Sequence, residues 1–114
     1  MKIRKVRKED YEQILNLQLE LEDEECCYDK NLKKYCYDTE KGRKKLEDRI
    51  NDENTIMYVA EIDETIIGFI DGYIADDEWW YESTMAYLAH IIVTKKYRNR
   101  GIGSLLIKKF EENF

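Results

Sequence analysis

The stretch YRNRGIGSLLIKKF, residues 97–110, decides how the rest of the chain is read. Two glycines, Gly101 and Gly103, stand between a pair of arginines, Arg98 and Arg100, and an apolar run with helical spacing. Ile102, Leu105, Leu106 and Phe110 fall on one side of that run, with Lys108, Lys109, Glu111 and Glu112 largely on the other. This predicts an amphipathic helix packed on a sheet. A loop entering a helix leaves its first N–H groups without intrahelical acceptors, and together with the helix dipole they attract anions. Glycine admits positive φ and lets a ligand reach the backbone. The stretch is therefore a candidate anion cradle, with a flexible turn before a helix as the competing reading.

Working upstream, MAYLAHIIV (85–93) is apolar almost throughout and predicts a strand covered on both faces. TIMYVAEI (55–62) and TIIGFIDGYIA (65–75), rich in β-branched and aromatic residues, predict a hairpin about Asp63-Glu64, although the turn lacks the preferred glycine. DDEWWYES between TIIGFIDGYIA and MAYLAHIIV predicts an acidic loop or hairpin end. KIRKVR at the start suggests a short edge strand. Tyr11, Ile14, Leu17 and Leu21 then form an apolar helical stripe, with Glu9, Asp10 and Glu12 in the first turn, where the dipole favours negative charge. A second, polar helix is expected from a Thr39 cap through Leu46 and Ile50 to the NDEN turn. The predicted class is α/β (α+β): a mixed, mostly antiparallel central sheet with flanking helices, in the order β-α-α-β-β-β-α. With 114 residues, one domain over 1–114 is expected.

Charge and composition narrow the partners. A formal charge of −6 opposes a phosphate-backbone binder, so no nucleic acid is expected. No apolar run approaches the roughly 20 residues needed to span a bilayer, and MKIR leads into no signal-type segment. No membrane partner and a cytoplasmic location follow as expectations. Three cysteines, Cys26, Cys27 and Cys36, make no disulfide framework and no zinc spacing, so reduced thiols and no metal are expected.

Three phosphate motifs compete for the glycine loop. A P-loop requires Lys after its last glycine, and a dinucleotide fingerprint requires a small residue where Leu106 stands; both fail. The third pattern, [RQ]-x-x-G-x-[GA], is met by Arg98-Asn99-Arg100-Gly101-Ile102-Gly103. With the element order read above, the chain resembles the GNAT superfamily of N-acetyltransferases from Lys2 to Phe114, most specifically over YIADDEWWYESTMAYLAHIIVTKKYRNRGIG. The resemblance implies acetyl-CoA as co-substrate, no metal, and direct attack by an amine without a covalent enzyme intermediate. It implies that backbone N–H groups of Arg98, Asn99, Arg100, Gly101, Ile102, Gly103 and Ser104 hold the pyrophosphate. Backbone groups of Ile91, Ile92 and Val93 would pair with the pantetheine arm like an added strand. The Arg98 and Arg100 side chains either contact phosphate or are solvated.

For catalysis, the resemblance places a base on the fourth strand, at Tyr87. Tyrosine is protonated near neutrality, so Tyr87 would order a water chain to a carboxylate such as Glu82. His90 is the only histidine; strand alternation sets it on the face opposite Tyr87, with Ala89 sharing the Tyr87 face, unless a bulge intervenes. A structural role for His90 is the preferred reading. The acidic residues Glu22 to Glu25 with Asp76, Asp77, Glu78 and Glu82 would favour a cationic small-molecule or peptide amine, or simply form a solvated face. Trp79 and Trp80 read as packing or self-association residues.

Against the family pattern, the sequence stops after the third helix, where GNAT domains usually continue with a strand, a helix and two strands. The expectation is a truncated fold whose open sheet edge drives homo-oligomerisation. The alternative function is a catalytically incompetent remnant, a CoA-binding or protein-interaction module.

Overall fold

The computed structural model describes residues 1–28, 39–75 and 85–113. Four strands, β1 (Lys2–Lys5), β2 (Thr55–Ile62), β3 (Thr65–Ala75) and β4 (Met85–Val93), form one sheet in the order β1-β2-β3-β4. Every neighbouring pair is antiparallel. The helices are α1 (Tyr11–Tyr28), α2 (Glu40–Asn51) and α3 (Ile102–Glu111). The order is the expected one, and the KIRKVR strand lies at the sheet edge beside β2. The acidic segment DDEWWYES, with Glu82, Trp79 and Trp80, and also Cys36, lie outside the described residues.

Alternation along β2 divides the core. Met57 and Val59 face α1 and α2, packing with Ile14, Leu15, Leu17, Leu46, Phe69 and Ile92, while Tyr58 and Ala60 face α3 with Ile70, Leu106 and Phe110. Each large side chain so buried contributes about 1.5–3 kcal/mol. Within α3 the buried residues are Ile102, Leu106 and Phe110, and Leu105 is 45% exposed. The expected inward Leu105 is thus corrected: the four-residue spacing of the buried three carries the stripe, and Leu105 is turned about one helical step away from it.

Local chemistry sets the element boundaries. Thr39 accepts from the Gly42 N–H at 3.0 Å and starts α2. Asp63 and Glu64 take φ of 48° and 67°, so the hairpin turn runs left-handed at both central residues without glycine. Asp10 does more than load the dipole: it is buried, accepts the Arg7 N–H at 2.8 Å, and receives Arg4 at 2.8 and 2.9 Å. Arg4 also reaches Glu61 on β2 at 2.8 Å. Burial pushes the Asp10 carboxyl up, but Arg4 and the Arg7 N–H outweigh it and hold the group below its ordinary value.

β4 departs from expectation. Among the described residues it pairs only with β3, and Tyr87 and Leu88 are 37% and 51% exposed, so the middle of the strand is not covered on both faces as its C-terminal end is. It also carries an irregularity. His90 pairs with Asp71 and Leu88 with Gly72, which leaves Ala89 as an extra residue.

Candidate functional site

The glycine loop runs from the end of β4 through a single 3₁₀ turn, Lys95–Tyr97, into α3. Its two glycines have different reasons to be there. Gly101 caps α3 at φ 80°, a conformation that a side chain resists. Gly103 lies inside the helix, and a Cβ there would meet only the Ile91 Cδ1 at 3.9 Å. Neither packing nor φ requires glycine at 103. The first bond of the helix runs from the Leu105 N–H to the Gly101 carbonyl at 3.1 Å. The N–H groups of Ile102, Gly103 and Ser104 therefore point out of the first turn with no intrahelical acceptor.

The flanking side chains divide their work. Arg98 donates from Nε to the Val93 carbonyl at 2.7 Å and is ion-paired with Glu24 of α1, and its N–H donates to the Lys95 carbonyl at 3.4 Å. Arg98 is thus a brace between β4, the loop and α1. Arg100 is exposed, with its guanidinium carbon 5.3 Å from the Tyr97 ring centroid. Asn99 sits at φ 63°. The Ile102 and Ile92 side chains are buried, so only their backbones are available to a ligand. Ile91, Ile92 and Val93 occupy the end of β4, whose outer side pairs with no strand among the described residues.

On the α1/α2 side the extra residue in β4 reorganises the face. Directly paired residues point the same way, and Tyr87 pairs with Tyr73 while His90 pairs with Asp71. Asp71 and Tyr73 are two apart and share a face, so the bulge carries His90 onto the face of Tyr87, and Ala89 no longer shares it by simple alternation. The Tyr87 and Tyr73 rings stack at 5.1 Å between centroids. Beside them the fully buried Asp71 carboxylate meets His90 Nδ1 at 2.9 Å and the Arg49 Nε of α2 at 2.6 Å. Arg49 in turn contacts Gln18 of α1 at 3.4 Å.

Asp71 and Arg49 were absent from the sequence reading. The available signal was Asp71 itself, the one charge in the apolar run TIIGFIDGYIA. A buried charge must find partners. Of the acidic run, Glu22 is buried, Glu24 is engaged by Arg98, and Asp23 is exposed. Among the described residues no helix is long and apolar enough to cross a membrane, and no cluster of three or more His, Cys, Asp or Glu could hold a metal.

A family model described as Acetyltransferase (GNAT) family matches residues 11–114. Solved structures of the same fold include an acetyltransferase from Vibrio fischeri, 25% identical, with a TM-score of 0.75 over 99% of this chain and 85% of that one. An aminoglycoside acetyltransferase from an uncultured soil metagenomic sample, in complex with sisomicin, is 22% identical, with a TM-score of 0.68 over 97% and 67%. A ribosomal-protein-alanine N-acetyltransferase from Brucella melitensis biovar Abortus 2308 is 17% identical, with a TM-score of 0.69 over 97% and 69%. No curated protein matches the chain.

Proposed function

The chain belongs to the GNAT acetyltransferase family, and from that premise we propose that it transfers the acetyl group of acetyl-CoA to a primary amine. The observation that carries this reading is Gly103: the fold does not require a glycine there, yet one stands in the first turn of α3 among outward N–H groups. A missing Cβ at that place suits a phosphate brought against the backbone.

The N–H groups from Asn99 to Ser104 are proposed to hold the pyrophosphate, with Arg100 beside them and Arg98 bracing the loop. The Arg98 N–H, which donates to the Lys95 carbonyl at 3.4 Å, is proposed to take part as well. The backbones of Ile91, Ile92 and Val93 are proposed to pair with pantetheine, because the outer side of β4 offers groups for an added strand. No metal takes part in this scheme. The amine attacks the thioester directly, held near the carbonyl carbon so that the bimolecular step becomes effectively unimolecular.

The acceptor would enter on the α1/α2 face, where Tyr87 and Tyr73 form an exposed aromatic wall. Tyr87 is proposed to order a water chain there, with Glu82, which lies outside the described residues, as the carboxylate proposed to receive it. Relatives of this fold include one enzyme named for aminoglycosides and another for a ribosomal-protein alanine. Both fit a small-molecule or peptide amine, and the chain's net charge of −6 favours a cationic one. The outer edge of β4, which pairs with no strand among the described residues, and the exposed Leu88 support a homo-oligomer.

The test combines calorimetric titration with CoA and a thiol-release assay using acetyl-CoA with spermidine, sisomicin or a peptide with a free N-terminal alanine. Saturable binding and amine-dependent thiol release are expected. Binding without release from any amine would leave only a CoA-binding module, and no binding would overturn the proposal. Light scattering at micromolar concentration tests the oligomer, and a monomer overturns that part.

A further inference from the structure

His90 is the only histidine in the chain, and a neutral imidazole carries one donor nitrogen and one acceptor nitrogen. Its Nδ1 is tied to Asp71 at 2.9 Å, and the far oxygen of the same carboxylate is tied to Arg49 at 2.6 Å. A carboxylate only accepts hydrogen bonds, so the imidazole proton belongs on Nδ1 and the neutral ring presents its lone pair at Nε2. The His90 side chain is 27% exposed while Asp71 is 0% exposed. Nε2, the nitrogen not bound to Asp71, is the ring's available base.

Its position fits that task. His90 immediately precedes Ile91, Ile92 and Val93, and the bulge at Ala89 brings it onto the same face as the Tyr73–Tyr87 pair. Among the described residues, the charged and titratable groups joined to or neighbouring His90 on this face are Asp71 of β3, Arg49 of α2, Tyr73 and Tyr87, while Arg4, Asp10 and Tyr11 share the face nearer β1. On α1 the buried Glu22 follows one turn after Gln18, the partner of Arg49.

We infer that His90 is the catalytic base for the acceptor amine, acting through Nε2, with Asp71 and Arg49 as positioning residues that fix its tautomer. This rests on the acetyl-CoA reading above. An ammonium proton passes to Nε2, and the freed nitrogen lone pair attacks the thioester carbonyl carbon. The C–N bond forms and the C–S bond breaks with its electron pair on sulfur. The second nitrogen proton converts the CoA thiolate to the thiol, and the imidazolium returns its proton to water.

Two measurements test it. In the wild-type protein, ¹⁵N NMR of the single histidine at neutral ring charge should show Nδ1 protonated and Nε2 bare; the opposite tautomer overturns the assignment. This needs no variant and is independent of turnover. In His90→Gln, kcat/KM for spermidine should fall by about 10²–10⁴-fold and lose the acid limb that spermidine's own ionisation does not explain, while the CoA titration stays unchanged. A variant that binds CoA and keeps the wild-type rate and pH profile overturns the His90 role alone. Wild-type protein that fails to bind CoA overturns the acetyl-CoA reading, and this assignment with it.

Discussion

Gly103→Ala separates a ligand cradle from a plain turn, because the substitution should move stability and binding in opposite directions. The new Cβ meets only the Ile91 Cδ1 at 3.9 Å, an ordinary contact. The only positive-φ glycine among the described residues is Gly101, so an alanine at 103 is not strained. Alanine in an unstrained helical position is about 0.5–1 kcal/mol more stable than glycine, mostly through the unfolded chain. In a domain of this size the melting temperature should rise by roughly 2–6 °C. The same methyl group occupies the space in which a phosphate oxygen would meet the first-turn N–H groups. Loss of one charge-assisted hydrogen bond costs about 1.5–3 kcal/mol, which weakens CoA binding roughly 10–150-fold. Thermal melting of the free protein and calorimetric titration with CoA read the two effects separately. A variant that melts higher yet binds CoA with unchanged affinity would refute the cradle, and one that melts lower would refute the claim that the fold does not require glycine there. Gly101→Ala is the contrasting control: with φ at 80° it should lose about 1–2 kcal/mol despite open space around its Cβ.

Gly72→Ala should be strongly destabilising, by about 1–3 kcal/mol or more, because its Cβ would run into the Tyr87 carbonyl and stand 2.5 Å from the Phe110 ring; denaturant unfolding checks it. Thr39→Ala removes the cap on α2 and should cost about 1 kcal/mol in the same assay, with Thr39→Ser restoring most of it. Because the folded Asp10 carboxyl lies below its ordinary value, its contribution is complete above the unfolded value of about 3.9 and is lost as pH falls through the folded one. Urea midpoints should therefore drop below about pH 4, and Asp10→Asn should flatten part of that drop; an unchanged pH slope in the variant would show that Arg4 contributes nothing through Asp10.

The parts of the fold legible in sequence were those governed by local chemistry. The Thr39 cap, the β2 and β3 limits about Asp63-Glu64, and the β4 limits at Met85 and Val93 all follow from short-range patterns and are found where those patterns place them. The bulge at Ala89 was not legible. It exists only in the register between β3 and β4, and no feature of AYLAHIIV alone distinguishes a regular strand from a bulged one. That single inserted residue reverses the facing of His90 and changes its setting from an isolated ring to a partner of Asp71. Arg49 was missed for a related reason: on α2 it reads as one more charge on a polar helix, and its role appears only when Asp71 is seen to need a cation. Leu105 shows the opposite case, since apolar identity alone does not predict burial where surfaces carry many apolar side chains.

Sequence alone leaves Arg98 open as a direct phosphate ligand, yet its side chain is engaged by protein. It holds the Val93 carbonyl and Glu24, while Glu20 accepts the Lys95 N–H at 3.1 Å and the Thr94 hydroxyl at 3.3 Å. α1 thereby grips the strand-to-helix loop from the side, and the same helix supplies Gln18 to Arg49 behind Asp71. One helix supports both the glycine loop and the His90 face. Exposed positive charge about the loop comes from Arg100 with Lys95 and Lys96. A chain of net charge −6 can present such a patch because screening confines each charge's influence to roughly 10 Å. Local arrangement, not the overall balance, decides which ions the loop attracts. Overall acidity is therefore evidence against binding an extended nucleic-acid backbone, which samples much of the surface, but not against one pyrophosphate seated on α3.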